Sequence, residues 1–228
     1  MVYLEQFHDG AENECHGLTE YGGAGRNRQE NDMDPEQAKQ EILEKLEHAE
    51  KILIGIGNEW NGKSGRQPDE VKQAAASLKK ITEGKDFFLI TGLTGEAVSR
   101  LGMKPGHVAA PFDETSAEEQ WDAYMKWLSF TLNRKTLILE LGEDFSRPSL
   151  MRWPFEKTAM LNRKAFLYRI GQNFYQIPDE LKDKARGVQE NSVDFAAALG
   201  NGKCREAASE EKTEEKQQME EAHGSNQQ

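Results

Sequence analysis

Two apolar runs that end in glycine carry the residues most able to do chemistry. The first is Ile52-Leu53-Ile54-Gly55-Ile56-Gly57, followed by Asn58-Glu59-Trp60. Gly55 and Gly57 let a backbone turn tightly and approach a phosphate, and the amides of a following helix can hold its charge. The full dinucleotide fingerprint needs a third glycine where Trp60 stands, so a plain strand-to-loop turn accounts for these glycines as well as a ligand does. The second run, Thr136 to Leu141, ends in Gly142-Glu143-Asp144-Phe145. Adjacent acids at the carboxyl end of a strand suit ribose hydroxyls or a divalent cation, and a solvated loop explains them equally. A third run ends in Thr91-Gly92-Leu93-Thr94-Gly95, with two hydroxyls and two glycines but nothing that titrates, which favours a simple turn. Gly22-Gly23-Ala24-Gly25-Arg26 follows no strand and opens no clear helix, so it reads as a linker.

Histidine and cysteine narrow the chemistry further. His8, His16 and His223 lie in polar end segments, and His48 sits late in a helix, where the dipole favours positive charge. Only His107 falls in a core loop, where a lone histidine is more often structural than catalytic. No Ser-His-Asp or Cys-His set stands out, and no His, Cys and acid spacing fits zinc. Cys15 and Cys204 both lie in the polar ends and make neither a disulfide framework nor a zinc module. Trp121, Tyr124, Trp127 and Trp153 could form an aromatic face for a partner, but a core role for most of them is favoured. Arg152 is expected to pair with a nearby acid. Glu140 lies inside a strand that should be buried, so it needs a partner or an edge position.

The elements around these residues alternate. Asp34-Pro35-Glu36-Gln37 combines an N-cap, a proline at the first helical position and a Gln three residues after the cap. Ala38, Ile42, Leu46 and Ala49 then follow helical spacing. Val71, Ala74, Ala75, Leu78 and Ile81 predict a second helix, Ala97 to Leu101 a short one closed by Gly102. Ser116-Ala117-Glu118-Glu119 is a capping box opening a helix with Trp121, Tyr124, Leu128 and Leu132. Pro154 starts or kinks a helix through Met160, and Ser192 caps a last one ending near Leu199. Between them, Ile52–Gly57, Phe87–Ile90, Thr136–Gly142 and Ala165–Ile170 read as strands buried on both faces. Such alternation predicts an α/β domain over 34–199, with a parallel sheet covered by helices on both faces.

The net charge of −11 sits mostly at the ends of the 228-residue chain. Residues 1–34 hold eight acids and two bases, and residues 200–228 hold seven acids and four bases. The remainder is near neutral, which gives no footprint for DNA or RNA and no polybasic anchor for an anionic membrane. Residues 1–33 and 200–228 are too polar to offset their ordering entropy and are expected to be disordered tails. No basic start with an apolar stretch marks a signal peptide, and no run reaches the ~18 residues of a membrane span. A cytoplasmic location is the resulting expectation.

Further motifs carry a family likeness. They are Ile54-Gly55-Ile56-Gly57, Ile90-Thr91 with Gly102 eleven residues on, Gln120-Trp121 through Trp127-Leu128, Leu139-Glu140-Leu141-Gly142, and Arg152-Trp153-Pro154-Phe155-Glu156-Lys157. Over roughly residues 36–199 the chain resembles the sirtuins, NAD-dependent protein deacylases with a deoxyhypusine-synthase-like Rossmann arrangement. It is most similar to short, zinc-less bacterial sirtuin-like proteins. The resemblance implies NAD as cofactor, with Gly55, Gly57, Asn58, Glu59, Thr91, Gly142, Glu143 and Asp144 at the positions that would hold it. It implies no zinc, because residues 116–132 run straight into the third strand where the four-cysteine module would stand.

The departures are specific. Glu59 replaces the family serine, Leu93 the catalytic asparagine and Gly95 the aspartate. No histidine stands near Pro111-Phe112-Asp113, and Gly142-Glu143-Asp144 alters the Gly-Thr-Ser motif. Sirtuin chemistry needs the histidine as base and the asparagine to place the reacting oxygen, and leucine and glycine do neither. Glu59 also adds negative charge where pyrophosphate would lie. The first expectation is therefore a nucleotide-binding module without deacylase catalysis. The alternatives are a deacylase or ADP-ribosyltransferase using other groups, with Glu59, Glu143 and Asp144 as candidate bases, and a non-enzymatic scaffold that binds a protein partner.

Overall fold

In the first helix, the Asp34 carboxylate accepts from the amides of Glu36 and Gln37, and Pro35 opens the first turn without losing a needed donor. That helix, α1 (Pro35–His48), turns Ala38, Ile42 and Leu46 inward. The computed structural model describes residues 31–62, 66–113 and 117–201. Most of the two segments expected as tails lies outside the described residues, as do the Gly22–Arg26 linker, both cysteines, His8, His16, His223 and Ser116 of the capping box.

In chain order the remaining elements are β1 (Asp32–Met33) ahead of α1, then β2 (Lys51–Ile56), α2 (Pro68–Ile81), β3 (Phe87–Thr91), α3 (Glu96–Leu101) and β4 (Val108–Ala109). They continue with α4 (Ala117–Ser129), β5 (Thr136–Leu141), α5 (Arg152–Leu161), β6 (Ala165–Gly171), β7 (Ala185–Gln189) and a helix α6 over 192–201. The strands form one seven-stranded sheet in the order β1-β7-β6-β5-β2-β3-β4, every pair parallel. This is a Rossmann-like α/β architecture. Strand order reverses at β2, which lies between β3 and β5, so the topological switch point sits between β2 and β5.

Alternate strand residues feed two cores. Ile52, Ile54, Ile56, Leu137, Leu139, Leu141 and Ile170 pack with α1, α2, α3 and α6. Leu53, Phe88, Ile90, Ile138 and Leu167 pack with Tyr124 of α4 and with Phe155 and Ala159 of α5. Near-continuous apolar strands follow from this burial on both faces.

Several details differ from the sequence reading. Three strands were not expected: β1 and β4 have two residues each, and β7 reads Ala-Arg-Gly-Val-Gln, with no apolar run to announce it. Met33 and Asp32 thus belong to the sheet, although the stretch to residue 33 reads as tail. Pro154 neither begins nor kinks α5; it lies in its first turn, where the missing N–H has no helical partner anyway. The cap of α6 is Asn191, whose side-chain oxygen accepts from Val193 and Asp194, and not Ser192. Leu132 falls beyond α4 and is exposed. No described helix is long and apolar enough to cross a membrane.

Candidate functional site

At the carboxyl ends of β2 and β5, two glycines bring the strands together. A Cβ on Gly57 would lie 2.6 Å from the Glu143 backbone and would strike the Gly142 carbonyl. Gly142 itself sits at φ +72°, and a Cβ there would lie 2.5 Å from Ser192 Oγ. Both positions require glycine, because a Cβ at either would overlap the neighbouring loop, and Gly142 has a positive φ as well. Gly57 N donates to Leu141 O at 2.8 Å and Glu59 N to Gly142 O at 3.2 Å, so the loop after β2 is laid directly on the end of β5.

That loop places Glu59 at the switch point. The Gln172 amide donates to Glu59 Oε1 at 2.8 Å, and the Ser192 amide and hydroxyl donate to Oε2 at 2.9 and 2.7 Å. Ser192 opens α6, so the carboxylate sits at a helix N-terminus, the place where this class of sheet holds an anion. Trp60, fully buried, donates from its indole nitrogen to Ser192 Oγ at 3.0 Å and fills the space beside it. Asn58 points the other way. Its amide donates to both Asp144 oxygens at 3.2 and 2.9 Å and to Ser146 Oγ at 2.8 Å. Burial pushes the Asp144 carboxyl up, but hydrogen bonds from Ser146 and Asn58 outweigh it and hold it below its ordinary value.

Glu143 lies on the opposite side of the same turn, buried, with Oε1 lacking a hydrogen-bond partner. Burial, then the charges of Glu140 and Asp144, push its pKa up to about 7. Beneath it runs a buried ion network that sequence reasoning saw only in part. Glu140, fully buried in β5, accepts from Arg169 Nε and Nη2 at 2.8 and 3.0 Å and lies 3.3 Å from Arg152 Nη2. Arg169 also donates to Glu156 at 2.7 Å and to the Gln176 carbonyl at 2.8 Å. Arg152 does pair with an acid, and its guanidinium lies 4.0 Å from the centre of the Phe145 ring. Arg169 was missed, because nothing in the run Ala165–Gly171 says which acid it would meet. The one available signal was Glu140, a carboxylate in a buried strand that had to find a cation.

Of the eight candidate residues, Gly57, Asn58, Glu59, Gly142, Glu143 and Asp144 converge on this turn. Gly55 and Thr91 do not join them. Gly55 faces α5, where a Cβ would lie 2.6 Å from Phe155 Cε2, so its role is to admit that helix. The buried Thr91 hydroxyl donates to Ile56 O at 2.8 Å and accepts from Leu93 N at 3.1 Å, tying β3 to β2. Leu93 is buried. His107 is held by the Phe87 carbonyl at 3.0 Å and stacks on the Phe87 ring, 4.8 Å between centres. Tyr124 is core, Trp121 and Trp127 are partly buried, and Trp153 is 57 % exposed. Among the described residues no group of three or more His, Cys, Asp or Glu side chains could hold a metal ion. No protein-family model matches the sequence, and no curated protein matches it at a significant level.

Proposed function

We propose that the chain is a sirtuin-like, NAD- or nucleotide-binding module that does not carry out sirtuin deacylation. The observation that supports it is the anion seat at the switch point: the Ser192 amide and hydroxyl at the N-terminus of α6 and the Gln172 amide just past β6, beside two glycine turns, gripping a carboxylate. Those donors are the chemistry a phosphate needs. Glu59 holds the seat in the free protein, and a nucleotide phosphate takes it when the Glu59 side chain swings out. Such a module binds its ligand weakly, because the ligand must displace a charge-assisted set of hydrogen bonds. The catalytic half of the reading rests on residues as they stand. Leu93 is buried, Gly95 has no side chain, and His107 is engaged with Phe87.

The test is calorimetry and thermal shift with NAD and ADP-ribose on the full chain and on Glu59→Ser. Ligand at 100 times its Kd raises stability by about 2.7 kcal/mol. A stronger response in Glu59→Ser than in the native protein is expected. No response from either at millimolar ligand sinks the reading. A second reading, an ADP-ribosyl-transferring or deacylating enzyme with non-standard groups, draws on Glu143, a buried carboxyl that titrates near neutrality at the carboxyl edge of the sheet. Release of nicotinamide from NAD by the native protein, abolished in Glu143→Gln, would favour it.

A further inference from the structure

At the other end of the sheet, the amino ends of β5 and β6 open into a cleft of about 470 Å³. This is the size of a small-molecule site. Its walls are Lys45 and His48 from the last turn of α1 and the turns leading into β5 and β6, with Phe166 and Leu137 beneath. Five cations line it, Lys45, Lys135, Arg163, Lys164 and Lys184, against two acids, Glu44 and Asp183. That excess stands out in a domain that is otherwise near neutral.

Part of this charge has structural work. Lys184 donates to the Ala159 and Asn162 carbonyls at 2.9 and 3.0 Å, closing the end of α5. Lys45 lies 4.5 Å from the centre of the Phe166 ring and complements the negative end of α1. Lys135, Arg163 and Lys164 are different. All three are exposed, and none makes a side-chain ion pair within 4.0 Å among the described residues. The acid beside them is Glu50, which is bound to Arg134 at 2.9 Å and to the Lys135 main-chain amide at 2.8 Å and feels the charge of Lys164. Thr136 and Ala165 are register partners, so Lys135 and Lys164, each just ahead of its strand, occupy neighbouring backbone positions at the same end of the sheet. Like charges so placed repel. Each lysine could be replaced by a neutral residue without loss to the core, and an anion with more than one charge converts the repulsion into binding.

We infer that this cleft binds a small phosphorylated molecule, its phosphates held by Lys135, Arg163 and Lys164 and its body laid toward Phe166. It lies at the opposite end of the strands from the switch point and is independent of the nucleotide reading. The test is calorimetric titration of the full chain with inorganic pyrophosphate and tripolyphosphate at low and physiological salt. The comparison is Arg163→Glu/Lys164→Glu against Lys72→Glu/Lys104→Glu, which makes the same charge change at exposed sites outside the cleft lining. Loss of two charged contacts should weaken binding about tenfold or more in the first double variant only. Equal weakening in both variants means diffuse attraction, and undetectable binding by the native protein means no site. Either outcome overturns the inference. So does binding that disappears with Glu59→Ser while surviving the cleft variant. Melting curves for both double variants confirm that they fold.

Discussion

Glu143→Gln removes one proton-binding group and keeps its shape. In the fold the carboxyl titrates at about 7, against an ordinary value of 4.5 to which the unfolded chain returns. The folded state therefore binds the proton more tightly than the unfolded state does. Stability from this group is full below about pH 4.5, falls as pH rises through the window up to about 7, and is gone above it. At 1.36 kcal/mol for each pH unit, that window holds about 3 kcal/mol as a ceiling, and some solvent access at the turn brings the expectation to about 2–3 kcal/mol. Urea unfolding of the native protein and Glu143→Gln, from about pH 5 to about pH 8, reads the difference directly, since every other titrating group is common to both. The variant should gain about 2–3 kcal/mol on the native protein across that range. Parallel stability profiles would refute the reasoning, because they would mean that Glu143 titrates alike in both states and is not desolvated by the turn.

Gly142→Ala combines a positive φ with a Cβ 2.5 Å from Ser192 Oγ, so a loss of about 2 kcal/mol or more is expected in thermal melts, with the Glu59 seat disturbed. Arg169→Met strips Glu140 of its bidentate partner inside the sheet, leaving it the longer contact to Arg152 at 3.3 Å, and should cost about 3 kcal/mol by chemical denaturation. Adding Glu140→Gln to that variant should recover part of the loss, since the penalty lies in a buried carboxylate left with one of its two cations. Lys135→Gln, by relieving the repulsion with Lys164, should leave the melting temperature unchanged or higher while weakening pyrophosphate binding.

The helices that pack as amphipathic stripes were legible in the sequence, because cap and period agree. Asp34 with Pro35, the stripe Val71 to Ile81, and Gly102 closing α3 in the left-handed region each state a local rule that the fold obeys. The four long apolar strands were legible for the same reason. β1, β4 and β7 were not, since two residues carry no period and β7 is half polar. The site divided likewise. Glycines that let Gly57 and Gly142 meet were visible as turns, but their mutual contact was not. The partners of Glu59 stand at Gln172 and Ser192, far along the chain, and no local spacing links them. Its negative charge read as an obstacle to phosphate; the structure shows a carboxylate held by donors from the start of α6 and the end of β6.

The stitching of early to late residues has a consequence for how the chain is made. Glu59 waits for Ser192, 133 residues later, and Trp60 for the same serine. β1 can pair only once β7 has been made. At ordinary synthesis speed that interval is on the order of ten seconds. Throughout it, β2 has its apolar run made but one flank of its cover missing, and α1 has no β6 or β7 to lie on. Contacts of such long sequence separation also slow folding once the chain is complete. β2, first in sequence among the long strands, has both of its strand partners by residue 141 but keeps one flank open until α6 is made.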